Sequence, residues 1–220
     1  MKNDILGTRN LSKVLHLPWL IMITGLIVLS ACNEDDTRPS INKDFMNEME
    51  AARMKMMENM NAAPMTMDPD VDFANMMIPH HQGSVDMVNI LLKYGKHDEA
   101  LEIGRAALEA DQASIDRLEQ FLETHGDPVP QTGIDFMDDM DMVMMKMDEA
   151  MKAMHYTSDP DYDFAEMMIH HHQGAIDMSR VELEYGTAEK ALEEAQMIID
   201  HQEEEIIELA RFRNEHGQPE

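Results

Sequence analysis

The chain is written twice. A shift of 91 residues lays 45–126 on 136–217 without a gap, and 36 of the 82 aligned positions are identical. A tandem repeat constrains a fold more tightly than composition does, because each copy is expected to form the same supersecondary unit. The strongest block, 72–87, falls on 163–178 and contains Met-Met-Ile-Pro-His-His-Gln-Gly in the first copy and Met-Met-Ile-His-His-His-Gln-Gly in the second. Between the copies, 127–135 reads as a linker, punctuated by Pro128, Pro130 and Gly133.

Each copy reads as three helices. The first covers 41–61 and 134–154. In the second copy Met137, Met140, Met144, Met147, Met151 and Met154 step by three and four, which draws one stripe along a helix. The second helix opens at Asp68-Pro69 and Asp159-Pro160, with Asp as N-cap and Pro where a missing N–H costs nothing. It runs to Gly95 and Gly186, where glycine is expected to permit a left-handed exit. Pro79 lies inside it and should bend it, although His170 replaces that proline in the second copy. The third helix runs to Gly126 and Gly217, with Ile115, Leu118 and Phe121 recurring as Ile206, Leu209 and Phe212. No run of alternating β-branched residues occurs, so an all-α fold of two tandem three-helix repeats is expected.

Methionine is the compositional anomaly. The chain has 25 Met, and 45–63 holds six of them with no Leu, Ile or Val. A Met stripe is often plain core, but leucine would define such a core better. The chemistry of sulfur supplies another reason. Met76–His80 and Met77–His81 are i, i+4 pairs, as are Met167–His171 and Met168–His172. Met87 and Met178 lie nearby on the same helices, and His170 adds an imidazole. Thioether sulfur prefers Cu(I) or Ag(I), and imidazole suits Cu(I), Cu(II) and Zn. These eleven residues are the candidate metal ligands, with one set expected on each repeat. Asp86 and Asp177 point away from the Met77 side and are expected to fix helices or orient imidazoles.

The N-terminus carries an address. Lys2, Arg9 and Lys13 precede an apolar stretch at 15–30, which ends in Leu29-Ser30-Ala31-Cys32. This resembles a bacterial lipoprotein signal. The resemblance implies removal of 1–31, lipidation of Cys32, a tether over 32–44 leading into the first helix, and a membrane-anchored protein on the cell-envelope side.

The double-histidine block resembles the domain-of-unknown-function family 305. That resemblance implies ferritin-like helical bundles, and because some members are described as periplasmic copper-binding proteins, it implies metal handling as well. Carried over by position, the motif residues are Met76, Met77, His80, His81, Gln82 and Met87, with Met167, Met168, His171, His172, Gln173 and Met178. Family members often carry Gln-x-x-Glu-Ile on the last helix. Gln202 to Ile206 keeps that pattern, whereas Asp111 and Ser114 depart from it.

Several functions are disfavoured. A net charge of −27 would be repelled by nucleic acid, and a single cysteine excludes a disulfide scaffold. No His has Glu three residues before it, and no His-Glu-x-x-His occurs, so the usual di-iron and metallopeptidase motifs are missing. The expected function is therefore non-enzymatic: an envelope lipoprotein that sequesters or relays copper, or silver, exchanging it with a donor or acceptor protein. The alternatives are a metal-dependent oxidase, such as one oxidising Cu(I), and a structural lipoprotein with a Met-packed core.

Overall fold

The computed structural model describes residues 42–217. Cys32 and residues 1–31, where a lipoprotein signal is expected, lie outside the described residues. Six helices follow in order: α1 (Lys43–Asn61), α2 (Pro69–Tyr94), α3 (Asp98–His125), α4 (Phe136–Ala153), α5 (Pro160–Tyr185) and α6 (Glu189–His216). No strand occurs among the described residues, and none of their helices is long and apolar enough to cross a membrane.

The expected caps form. Asp68 accepts a hydrogen bond from Asp70 N, and Asp159 accepts from Asp161 N and Tyr162 N, each ahead of a proline. Pro79 sits within α2, which continues to Tyr94. The helix exits at Gly95 and Gly186 differ from expectation, because both are extended (φ −66° and −67°), not left-handed. Close approach is what requires glycine there. A Cβ on Gly95 would lie 2.6 Å from Asp161 Oδ1, and one on Gly186 would meet the Glu182 side chain. Positive φ is used instead at Gly126 and Gly217, behind α3 and α6.

The two repeats pack against each other. α2 lies against α5 and α3 against α6, while α1 packs on α2 and α4 on α5. Arg53 of α1 pairs with Asp148 of α4. Methionine forms much of the interior: thirteen Met are buried among the described residues, including Met49, Met56 and Met60 of α1 and Met140, Met144, Met147 and Met151 of α4. Gly83 and Gly174 let these rails approach. A Cβ on Gly83 would lie 2.6 Å from Met56 Sδ, and one on Gly174 would lie 2.7 Å from Met147 Cγ. Lys55 donates to Asp86 and Lys146 to Asp177, each at 2.7 Å, so both acids tie the first helix of a repeat to the second.

The repeats also complete each other's helix ends. Asp70 of α2 accepts from Thr187 N at 2.9 Å and Ala188 N at 2.8 Å, just ahead of α6. Asp161 of α5 accepts from Lys96 N at 2.8 Å, just ahead of α3. The N-cap residues of α3 and α6, His97 and Ala188, make no side-chain cap of their own. The backbone N–H groups at the entry to each third helix are therefore bonded by an acid of the other repeat.

Candidate metal centre

The helix pair α2–α5 brings both double histidines together. Consecutive residues on a helix diverge by about 100°, so each pair faces two neighbours. His80 and His171 face each other with ring centroids 3.8 Å apart. His171 Nε2 donates to His80 O at 3.1 Å, which leaves the lone pair of His171 on Nδ1. His81 and His172 turn toward the third helices. His81 Nδ1 lies 3.0 Å from Asp111 Oδ1 on α3, and His172 Nε2 lies 3.3 Å from Glu205 Oε2 on α6. All four imidazoles are fully buried.

These groups are poorly satisfied by the protein. His80 Nδ1, both nitrogens of His81 and His172, His171 Nδ1, Asp111 Oδ2, Gln202 Oε1 and both oxygens of Glu205 are buried without an aligned hydrogen-bond partner. Each orphan costs about 1–3 kcal/mol, and a folded interior normally leaves only a few per hundred residues. So many in one place suit a ligand that takes lone pairs. The donor set of imidazole, carboxylate and amide oxygen fits a transition-metal cation. The donors stand in pairs, not as a closed ring. Among the described residues, three His or acid atoms lie within 4.8 Å of one another at His97, Asp159 and Asp161, where both carboxylates already cap helix ends.

Burial keeps His80, His171 and His172 neutral. It holds His171 down to about 4 and, with the His171 ring beside it, His172 down to about 3. Burial and the His171 ring also hold His80 well below the usual imidazole range. The two acids diverge. Burial alone would raise Asp111, but the adjacent His81 ring outweighs it and holds the carboxyl at about 2. Burial, then the Asp111 charge, push Glu205 up to about 8.

Met76, Met77, Met87, Met167, Met168 and Met178 are all buried in the core, as the four histidines are, and among the described residues none of their sulfurs hydrogen-bonds a histidine. The thioether that does is Met147 of α4, with Sδ 3.2 Å from His80 Nε2. His170 stands apart. Its neighbours 171 and 172 already span the inward arc, so it is carried outward to a shallow pocket with Met154, His155, Tyr162 and Glu166. One set of ligands per repeat was expected, but the histidines of both repeats meet at their shared interface.

Sequence reasoning did not select Asp111 or Glu205 as ligands. The usable signal was the third-helix pattern, in which positions 111 and 202, and 114 and 205, correspond by repeat. Each third helix supplies one acid and one neutral residue, at exchanged positions.

A family model described as Domain of unknown function (DUF305) matches residues 70–213. The crystal structure of a DUF305 fragment from Deinococcus radiodurans is 18% identical, covering 68% of this chain and 97% of that one with a TM-score of 0.49. No curated protein matches. With the family model spanning both double histidines and most of the six-helix body, the chain belongs to the DUF305 family.

Proposed function

We propose that this protein is a metal-binding protein whose cargo ion, copper in the first instance, is held at the interface of the two repeats. One observation carries the reading: four buried imidazoles with unpartnered nitrogens lie beside two carboxylates and one thioether. His80, His81, His171 and His172 would hold the ion, with Asp111, Glu205 and Met147 adjoining. Donors projecting inward from facing helices follow the ferritin-like way of building such a centre. Neutral imidazoles are ready ligands, and a carboxyl such as Glu205 would release its proton on binding. The mixed set favours copper, since imidazole binds both its oxidation states and sulfur prefers Cu(I). Silver and zinc are the natural competitors. The lipoprotein-like N-terminus adds the proposal that Cys32 anchors this body to a membrane of the cell envelope, where it would sequester copper or pass it on. Cys32→Ala should abolish incorporation of labelled palmitate.

The test is titration of the full chain, purified in detergent, with Cu(I), Cu(II) and Zn against chromogenic chelators. His81→Ala and His172→Ala should each weaken the same binding event, by about a hundredfold. If each removes one ion and spares another, the repeats bind separately. If the wild-type chain takes up none of the three metals, the metal reading falls and a Met-packed structural bundle remains. Acid should compete late: with His171 near 4 and His172 near 3, binding should persist below the range where ordinary imidazoles protonate.

The pairing of two carboxylates with the histidines supports a second reading, a redox centre that oxidises Cu(I) with dioxygen as electron acceptor. Oxygen consumption on adding Cu(I), beyond the protein-free rate, would favour it.

A further inference from the structure

A cleft of about 440 Å³ between α3 and α6 runs from the surface to His81, Asp111 and Gln202. Its outer wall on α6 carries Met197 and His201, one helical turn apart. Met197 is 45% exposed, so packing, which accounts for the buried methionines, does not account for it. Other exposed helix methionines, Met54, Met142 and Met145, are followed one turn on by Glu58, Lys146 and Glu149. Met197 is followed by an imidazole.

The exposed histidine leads inward by a graded path. His201, with 54% of its side chain exposed, places Nδ1 3.5 Å from Glu205 Oε1. Glu205, 7% exposed, places its other oxygen 3.3 Å from Nε2 of the fully buried His172. The first repeat has Ala106 and Ala110 at the positions of Met197 and His201, and Ala110 lines the opposite wall, where a small side chain leaves the cleft open. Asp200 and Glu204 lie at the cleft, so its field draws cations. The nearby cation, Arg117, is held by Glu194 through bonds of 2.6 and 2.9 Å.

We propose that Met197 and His201 form a capture site for a soft monovalent cation, Cu(I) or Ag(I), from which the ion passes by Glu205 to the buried histidines. This deepens the metal-binding reading and rests on it. Only the second repeat carries the pair, so loading is one-sided although the centre is shared.

Transfer of Cu(I) from its bathocuproine disulfonate complex to the full chain, followed by loss of the complex's colour, gives both rate and equilibrium. Met197→Leu combined with His201→Ala should slow loading about tenfold, at the low end of what a charged cleft contributes to on-rates. Affinity should stay within about twofold of wild type, because a route lowers the barrier in both directions. Ala110→Trp, which plugs the cleft and leaves the pair in place, should slow loading as well. Unchanged loading in either variant overturns the capture site while leaving the buried centre standing. Affinity falling in step with rate overturns it too, by making the pair part of the final site. A wild-type chain that takes no Cu(I) overturns both proposals.

Discussion

The two repeats differ least where they hold the fold and most where they set charge. The double histidines, the capping acids Asp68/Asp159 and Asp70/Asp161, and the glycines Gly83/Gly174 are common to both. The third helices diverge: Asp111 against Gln202, Ser114 against Glu205, Ala106 against Met197 and Ala110 against His201. Among the exchanges in the second helix, buried Leu91 corresponds to buried Glu182. A symmetric pair of identical units would have to place the same residue on both sides of the centre. Two covalently joined copies need not, so one acid can be ionised and the other protonated within a single site.

The largest expected effect comes from making the second helices alike. Glu182 is fully buried, and burial, with Asp70 beside it, pushes its carboxyl up to about 10. The unfolded carboxyl releases its proton near its ordinary value, whereas the folded one keeps it to about 10, so stability falls as pH rises through that window. Glu182→Leu should therefore stabilise the protein by about 3 kcal/mol at pH 8 and by less at pH 5. Urea midpoints across that range measure it. A gain independent of pH would show that packing, not ionisation, separates the repeats here.

The next comparison sets the two acids of the centre against each other. Asp111, held at about 2, contributes stability that is present above the ordinary aspartate value and lost as pH falls through 2. Glu205, raised to about 8, is protonated at pH 6.5, and glutamine resembles that form. Asp111→Asn should cost about 2 kcal/mol at pH 6.5, and Glu205→Gln less than about 0.5. Both should weaken metal binding. Equal stability losses in thermal melts would mean that the acids share one ionisation state.

The smallest effect concerns the glycines under the Met rails. Gly83→Ala and Gly174→Ala should each cost about 1 kcal/mol, since methionine can yield to a new methyl group. Only Gly174→Ala displaces Met147, whose sulfur touches His80. Loss of Cu(I) affinity in that variant alone would tie the thioether to the centre, and equal affinities would make both rails simple packing.

The sequence made local structure plain and left convergence obscure. Asp-Pro starts, the Met stripe and the 91-residue offset each act within one helix or one copy, so their meaning survives without a partner. The extended exit at Gly95 could not be read, because the constraint comes from Asp161 in the other repeat, whereas at Gly186 the crowding atoms belong to Glu182 of the same helix. The meeting of His80 with His171 belongs to the docking of α2 on α5, which no helical period encodes. Met76 and Met77 pair with His80 and His81 by helical spacing and are buried as those histidines are, whereas the approach of the Met147 sulfur from α4 to His80 is visible only once the helices are docked. Asp111 and Glu205 looked like departures within one repeat, and they make sense only across two.

The reciprocal caps carry a consequence for how the chain can be divided. Asp70 closes the start of α6 and Asp161 the start of α3, so a half-molecule would have a frayed helix and an uncovered face. Cleavage in 127–135 should leave two fragments that remain associated, since what joins them lies in the helices. The same complementarity gives each half an equally good match on another chain. At high concentration, or after refolding, halves can therefore be exchanged between molecules into an intertwined dimer with two complete centres.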